Sequence, residues 1–362
     1  MNALVNSADS HVVEPLDLWV QRLPVHLRER APRIAEVDGK WLFLVEGMPP
    51  RRMGGPSSGR GSERGDGAEG SHFRAGGWDP AERAKDLDAD GVWGEVLYPT
   101  MALFGFMIPD PELRIETARA YNDWLAETFA SASTRFAGAA IIPVQDIAAA
   151  VDEIERVARL GLRSVMLPMQ APADHPYNST EYDPVWAAAA HHGMPCSFHV
   201  GTGSSPWTER GSGGAVINYV EVGLGAQRTL GYLAASGVLE RFPDLHVVMV
   251  ECGAGWLSWL LERMDEAFEE HAQWVSPKLV EPPSFYVRRQ GHVTFGNDAA
   301  GVVNRSFTGI ESLLWASDYP HPEGTWPHTR ETLDRIFHDV STRERRQITY
   351  STTAALYGLE TP

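Results

Sequence analysis

Short apolar segments recur along the chain, and stretches with helical spacing separate them. Most of these segments are almost continuously apolar and are bounded by Gly or Pro, a pattern typical of parallel strands buried on both faces. The apolar pattern is weakest in the first segment. We predict eight strands, at residues 3–8, 95–98, 138–143, 164–167, 196–200, 246–251, 293–295 and 312–317.

Helical segments lie between the predicted strands. Residues 110–131 and 146–160 have helical apolar spacing, and each begins at an aspartate suited to cap it. Eight strands in β-α alternation predict an α/β fold, the (β/α)8 TIM barrel. A doubly wound sheet would carry a Gly-rich phosphate turn after the first strand. The sequence there reads Asp-Ser-His-Val-Val-Glu-Pro, so we reject that fold.

One insertion interrupts the alternation after the first strand. Residues 33–46 contain two runs around Asp38-Gly39, which predicts a β-hairpin. Residues 47–77 are rich in Gly, Ser and Arg and carry almost no apolar side chain before Phe73, so we expect a mobile loop or lid. We therefore predict one barrel domain over residues 1–362, with a hairpin and lid inserted at about 33–77.

Composition and charge narrow the choice of partners. The net charge of -17 opposes binding to nucleic acid or to anionic membranes, so we expect a small-molecule substrate. The two cysteines, Cys196 and Cys252, form no C-x-x-C pair, and no apolar run reaches the roughly 20 residues of a membrane helix. The start of the chain shows no signal peptide, so we expect a cytoplasmic location.

Polar residues follow three of the predicted strands. Asp9 and His11 flank Ser10 at the end of the first strand, and residues two apart on a strand point to the same side. His199 ends the fifth strand and Asp318 follows the eighth. The structural alternatives are a core histidine for His199 and a turn cap for Asp318.

The four residues together indicate a metal site. The carboxyl ends of the strands form the active-site face of TIM-barrel enzymes. Two imidazoles and two carboxylates suit one divalent ion and leave room for water. We expect Zn, with Mn or Fe as alternatives, bound by Asp9, His11, His199 and Asp318.

Three longer segments carry a resemblance to a known family. The sequences ADSHVVEPLDLW, VECGAGWLSWLLERMDE and SDYPHPEGTWP resemble the metal-dependent amidohydrolase-related family that includes aminocarboxymuconate semialdehyde decarboxylase. The resemblance implies a TIM barrel, one Zn or Mn ion held by the same four residues, and a homodimer. The chain departs from the characterised decarboxylases at Asp9, where they have His or Glu, and at Glu251, where they have a catalytic His.

Further residues are candidates for catalysis and substrate binding. Glu251 and His321 are candidate proton-transfer groups beside Asp318; a salt bridge to a nearby arginine is the structural alternative for Glu251. The expected substrate-binding residues are Arg74, Trp207, Tyr319 and Trp326. Arginine suits a substrate carboxylate, and the three aromatic residues lie on predicted rim loops.

The expected site supports two reactions. The leading hypothesis is hydrolysis of a small organic substrate by a metal-activated water, with Asp318 accepting its proton. The alternative is non-oxidative decarboxylation of an aromatic or unsaturated acid, which requires a proton donor such as a histidine. A barrel that only binds a ligand is a third possibility, which the complete set of four metal ligands disfavours.

Overall fold

The computed structural model describes residues 4–52, 74–172, 174–203 and 211–360. Eight parallel strands of these residues form one sheet that closes nearly into a barrel, in the order β1, β5, β6, β7, β8, β9, β10, β11. This arrangement confirms the predicted TIM barrel. The strands are β1 (Val5–Val12), β5 (Val92–Pro99), β6 (Phe136–Ile141), β7 (Ser164–Pro168), β8 (Cys196–His199), β9 (Val247–Val250), β10 (Gly291–Phe295) and β11 (Leu313–Trp315).

The first strand is displaced from its predicted position. It runs from Val5 to Val12, so Asp9 and His11 lie within the strand and not beyond its end. Every residue of β1 is buried although five of the eight are polar, and some of these side chains find partners inside the protein: the Ser10 hydroxyl donates to Glu95, for example. An irregularity in the pairing of β1 with β5 falls between Ser7 and Ser10.

Helices surround the barrel and follow its strands. The longer ones include α3 and α4, which begin one residue after the predicted capping residues Asp110 and Asp146. The α-helices are α1 (Leu18–Arg22), α2 (Pro80–Asp90), α3 (Pro111–Leu125), α4 (Ile147–Arg159), α5 (Asp183–His191), α6 (Gly214–Ala235), α7 (Val238–Arg241), α8 (Leu257–Glu270), α9 (Pro283–Gln290), α10 (Ala299–Val303), α11 (Arg305–Thr308), α12 (Thr329–Ile336), α13 (Thr342–Arg346) and α14 (Thr352–Tyr357). None of the helices in the described ranges has the length and apolar character that crossing a bilayer requires.

The predicted hairpin is present. Strands β2 (Arg33–Val37) and β3 (Lys40–Leu44) pair antiparallel across Asp38 and Gly39, whose φ angles are 52° and 71°. Positive φ at both central residues matches the tight hairpin turn that favours an Asp-Gly sequence. A short strand, β4 (Arg51–Arg52), adds to β3. Residues 53–73 of the predicted lid lie outside the described residues, so the lid stays a prediction.

Backbone contacts join the first strand to the loop after the last one. The amide of Asp318 donates to the carbonyl of Asp9 (2.9 Å), and the amide of His11 donates to the carbonyl of Tyr319 (2.6 Å). The ends of the sheet meet at this point, so Asp318 is fixed beside Asp9 and His11.

Candidate metal centre

The four predicted ligands converge at the carboxyl end of the barrel. His11 Nε2 lies 3.6 Å from Asp9 Oδ1 and 3.6 Å from Asp318 Oδ1. His199 Nε2 also lies 3.6 Å from Asp9 Oδ1. Ligand atoms about 2 Å from one shared ion are separated by roughly 3 to 3.6 Å. The spacing therefore fits joint coordination of one cation.

Backbone carbonyls orient both histidine rings. His11 Nδ1 lies 2.7 Å from the Pro99 carbonyl oxygen, and His199 Nδ1 lies 2.8 Å from that of Val200. A carbonyl oxygen can only accept a hydrogen bond. Nδ1 is therefore the donor in each ring, and Nε2 carries the lone pair of the neutral imidazole. Fixing the tautomer through the outer nitrogen is a common feature of metal-binding histidines.

Three of the inward-facing atoms are buried without a hydrogen bond. These atoms are Asp9 Oδ1, His11 Nε2 and His199 Nε2. A buried polar atom without a partner costs about 1–3 kcal/mol. A cation between them would satisfy all three at once, so this donor set fits a divalent metal.

The cluster perturbs the protonation of its own histidines. Burial, together with His321 and His199, holds the pKa of His11 well below its usual range. Burial acts in the same direction on His199, but the neighbouring Asp9 and Glu251 carboxylates raise its pKa to about 9. Without a metal, a proton on His199 therefore supplies positive charge among these carboxylates.

Glu251 and Asp318 share an unusual backbone conformation. Their φ angles are 59° and 55°, in the left-handed region that side-chain-bearing residues seldom occupy. Such residues cluster at functional sites and cost about 1–3 kcal/mol each. Both follow the last residues of barrel strands and direct their carboxylates to the same cluster.

Glu251 lies beside the four predicted ligands. Its Oε2 is 3.8 Å from His199 Nε2, and ligand atoms of Asp9, His11, His199 and Glu251 all lie within 4.8 Å of one another. Burial, with the charges of Asp318 and Asp9, raises the pKa of Glu251 to about 8. Its described ion-pair partner is a histidine, and not the arginine considered as the structural alternative.

His321 also belongs to the site. Its Nδ1 lies 2.9 Å from Asp318 Oδ1, and its ring stacks on that of His11 with centroids 4.0 Å apart. Glu323, which we did not predict, joins His321, Asp318 and Glu251 in a second group of possible ligands. Its position two residues after His321 was the only signal available in the sequence.

Three of the four predicted substrate-binding residues contact other residues of the protein. The Arg74 guanidinium binds Asp86 through two nitrogens (3.0 and 2.7 Å) and stacks on Trp326 at 4.1 Å. Tyr319 is buried, and its hydroxyl donates to Asp86 (2.5 Å). Trp207 lies outside the described residues. Substrate binding by these four residues stays a prediction.

Comparison with protein families gives a match to one family model over most of the chain. The model of the Amidohydrolase family matches residues 69–359. Among curated proteins, the chain is 31% identical over 225 residues to Decarboxylase orsB of Emericella nidulans, a match that spans 57% of this chain and 65% of that protein. It is 26% identical over 282 residues to the Gamma-resorcylate decarboxylase of Rhodococcus jostii, spanning 70% of this chain and 80% of that protein.

Solved structures show the same fold. An amidohydrolase from Mycobacterium avium subsp. paratuberculosis superposes with a TM-score of 0.77 at 21% identity, over 99% of this chain and 100% of that one. A dihydroxybenzoic acid decarboxylase from Polaromonas, solved with bound manganese and the inhibitor 2-nitroresorcinol, gives 0.64 at 18% identity, over 100% of this chain and 98% of that one. Together with the family match, the barrel and its ligand cluster lead to one conclusion: the chain belongs to the amidohydrolase family.

Proposed function

We propose that this protein is a metal-dependent carboxy-lyase that releases carbon dioxide from a small aromatic or unsaturated acid. The observation that carries the proposal is the buried cluster of unpartnered Asp9, His11 and His199 atoms in a chain whose curated relatives are decarboxylases. These relatives favour the decarboxylase, which the sequence left as the alternative, over hydrolysis.

Four residues would hold the cation. Asp9, His11, His199 and Asp318 present carboxylate oxygens and neutral ring nitrogens that suit Mn or Zn. Manganese has support from the Polaromonas relative, while Zn rests on the donor types. When bound, the ion would supply positive charge that anchors a substrate carboxylate and a neighbouring hydroxyl.

Decarboxylation also needs a proton. When the bond to the carboxylate breaks, its electron pair stays on the substrate carbon, carbon dioxide leaves, and a proton takes its place. Glu251 is the leading donor, because its Oε2 lies 3.8 Å from His199 Nε2 and burial favours its protonated form. His321, 2.9 Å from Asp318, would return a proton to the site from solvent.

The experiment compares two reactions on one preparation. Metal-free protein is loaded with Mn²⁺ or Zn²⁺ and incubated with a panel of hydroxybenzoates, and with ester, lactone and amide substrates. We expect carbon dioxide release from at least one acid. His199→Ala should lose bound metal and roughly a hundredfold or more of the activity.

A histidine at the other end of the barrel provides the control. His246 precedes β9 and contacts His292 at 3.0 Å, so His246→Ala removes an imidazole away from the metal cluster. This variant should keep both metal and turnover. Hydrolysis without carbon dioxide release from any acid would overturn the proposal, as would full activity in metal-free His199→Ala.

The organisation of the protein is a further part of the proposal. We propose one barrel domain in the cytoplasm that forms a homodimer. The first half of α6 offers a surface for self-association, because Val216, Tyr219 and Val220 are each about 70% exposed there. Light scattering after size exclusion should give a molar mass twice that of one chain. The Val220→Lys variant should give a lower molar mass. A monomer at micromolar concentration would contradict this prediction.

A further inference from the structure

A buried ion pair lies next to the candidate metal cluster and contacts the backbone of His11. Arg83 on α2 and Glu95 on β5 are both fully buried, and Arg83 Nε lies 2.5 Å from Glu95 Oε2. Taking two charges out of water is costly, and such a pair is weak evidence for stability on its own. Its connections to the rest of the protein are therefore more informative than its energy.

The arginine binds the backbone of a predicted ligand. Arg83 Nη1 donates to the carbonyl of His11 (2.8 Å) and to that of Gly76 (3.1 Å). Gly76 packs so closely that an added Cβ would lie 2.2 Å from the Tyr319 hydroxyl. One guanidinium thus ties β1, which carries two predicted ligands, to the end of the insertion.

The glutamate binds a group of buried serines. Glu95 Oε1 accepts from the Ser10 hydroxyl (2.8 Å), and Ser10 Oγ lies 3.1 Å from Ser317 Oγ. The amide of Ser317 donates to the Ser7 hydroxyl oxygen (2.7 Å). Ser10 stands between Asp9 and His11, and Ser317 directly precedes Asp318. Ser10 and Ser317 are therefore each adjacent in sequence to a predicted metal ligand.

We propose that the Arg83–Glu95 pair and its serines are positioning residues, which set the separation between the ligands on β1 and Asp318. The pair fixes the backbone of His11 from one side, and the serine group joins β1 to the turn that carries Asp318. Outer groups of this kind orient metal ligands, and their loss typically weakens metal binding roughly ten- to a hundredfold. This inference rests on the metal site of the proposed function and not on its reaction.

Two variants test the connection. Ser10→Ala removes the link between Glu95 and Ser317 without leaving a buried charge unpaired. Glu95→Gln keeps one acceptor oxygen and removes the negative charge. We expect Mn²⁺ affinity, measured by competition with a chelator, to fall roughly ten- to a hundredfold in each. The visible spectrum of the Co²⁺ form should shift in both, since it reports ligand geometry.

Matched controls separate positioning from general stability. Ser284 on α9 is a buried serine whose hydroxyl donates to Asp265 (2.6 Å), and Glu153 on α4 is a buried carboxylate paired with Arg156 (2.7 Å). Ser284→Ala and Glu153→Gln should lower the melting temperature while Mn²⁺ affinity and the Co²⁺ spectrum stay at the wild-type values.

The outcomes distinguish this inference from the proposed reaction. Affinity within twofold of the matched controls, with an unchanged Co²⁺ spectrum, would overturn the positioning role even if the enzyme decarboxylates its substrate. Weakened Mn²⁺ binding with a shifted spectrum supports it, even in a protein that releases no carbon dioxide.

Discussion

At the scale of single residues, the sequence indicated the candidate metal ligands because strand ends in a barrel meet at one face. Asp9, His11, His199 and Asp318 could be found by that rule. The structure groups Asp9, His11 and His199 with Glu251 and places Asp318 beside His11 and His321. Arg83 and Glu95 could not, since nothing local marks a helix residue and a strand residue as partners. A buried charge is recognisable only once its counter-charge is located in space.

Proton competition at His199 should make metal binding depend on pH. With its pKa raised to about 9 by Asp9 and Glu251, His199 must lose a proton before it binds a cation. Apparent Mn²⁺ affinity should therefore fall about tenfold for each unit from pH 8 to pH 6. Competition titrations across this range measure the slope. Affinity that does not vary with pH would contradict the expectation.

Glu14, two residues after β1, is a buried carboxylate. It accepts backbone amides of Met101 and Ala102 at 3.1 and 2.8 Å, and burial raises its pKa from 4.5 to about 7. The folded state thus binds the proton more tightly than the unfolded chain. Its contribution to stability is full below about pH 4.5 and is lost as the pH rises through 7.

Glu14→Gln should remove this pH dependence. Between pH 5 and pH 8, the wild-type free energy of unfolding should fall by about 3 kcal/mol more than that of the variant. Urea unfolding at both pH values provides the comparison. Glu36→Gln, at an exposed position of the hairpin, should behave like the wild type. An equal change in the free energy of unfolding between the two pH values, in the wild type and in Glu14→Gln, would contradict this reasoning.

At the scale of elements, local signals placed helix starts better than strand ends. The first turns of α3 and α4 are capped by Asp110 and Asp146, as their positions before apolar stretches suggested. The turn at Asp38-Gly39 was equally clear because few residues tolerate positive φ. Strand β1 was misplaced because its buried polar residues include ones such as Ser10, which bonds to the distant Glu95, and periodicity does not reveal such partners.

Removal of a cap should weaken α4 measurably. The Asp146 carboxylate accepts the Ala149 amide at 3.0 Å, so Asp146→Ala should lower the free energy of unfolding by about 1 kcal/mol. Chemical denaturation measures this loss of unfolding free energy. Asp152→Ala changes an exposed aspartate inside the same helix and should have little effect. Equal stabilities of the two variants would argue against the cap.

At the scale of the whole molecule, β-α alternation was sufficient to predict the barrel, because few folds accommodate eight buried strands separated by helices. The choice between hydrolysis and decarboxylation was not accessible in the same way. It depends on where protons and substrate atoms sit within a few ångströms, and loops outside the regular alternation help to determine that arrangement.

Metal removal should affect the entire fold. The cation would join β1, β8 and the turn after β11, so binding stabilises the folded state by about 2.7 kcal/mol at a hundredfold excess over the Kd. Treatment with a chelator should lower the melting temperature by several degrees. His199→Ala, which cannot form the complete site, should show no such shift. An identical melting temperature with and without metal would exclude a structural contribution.

The left-handed backbone at Glu251 and Asp318 bears on how this protein could be redesigned. Glycine adopts that conformation without steric cost, whereas alanine retains the penalty. Glu251→Gly should therefore melt at a higher temperature than Glu251→Ala, although both lack the carboxylate. The two positions that direct acids to the candidate metal cluster are thus places where a more robust protein is readily obtained at the expense of the proposed chemistry, and screens for thermal tolerance alone should select against these acids.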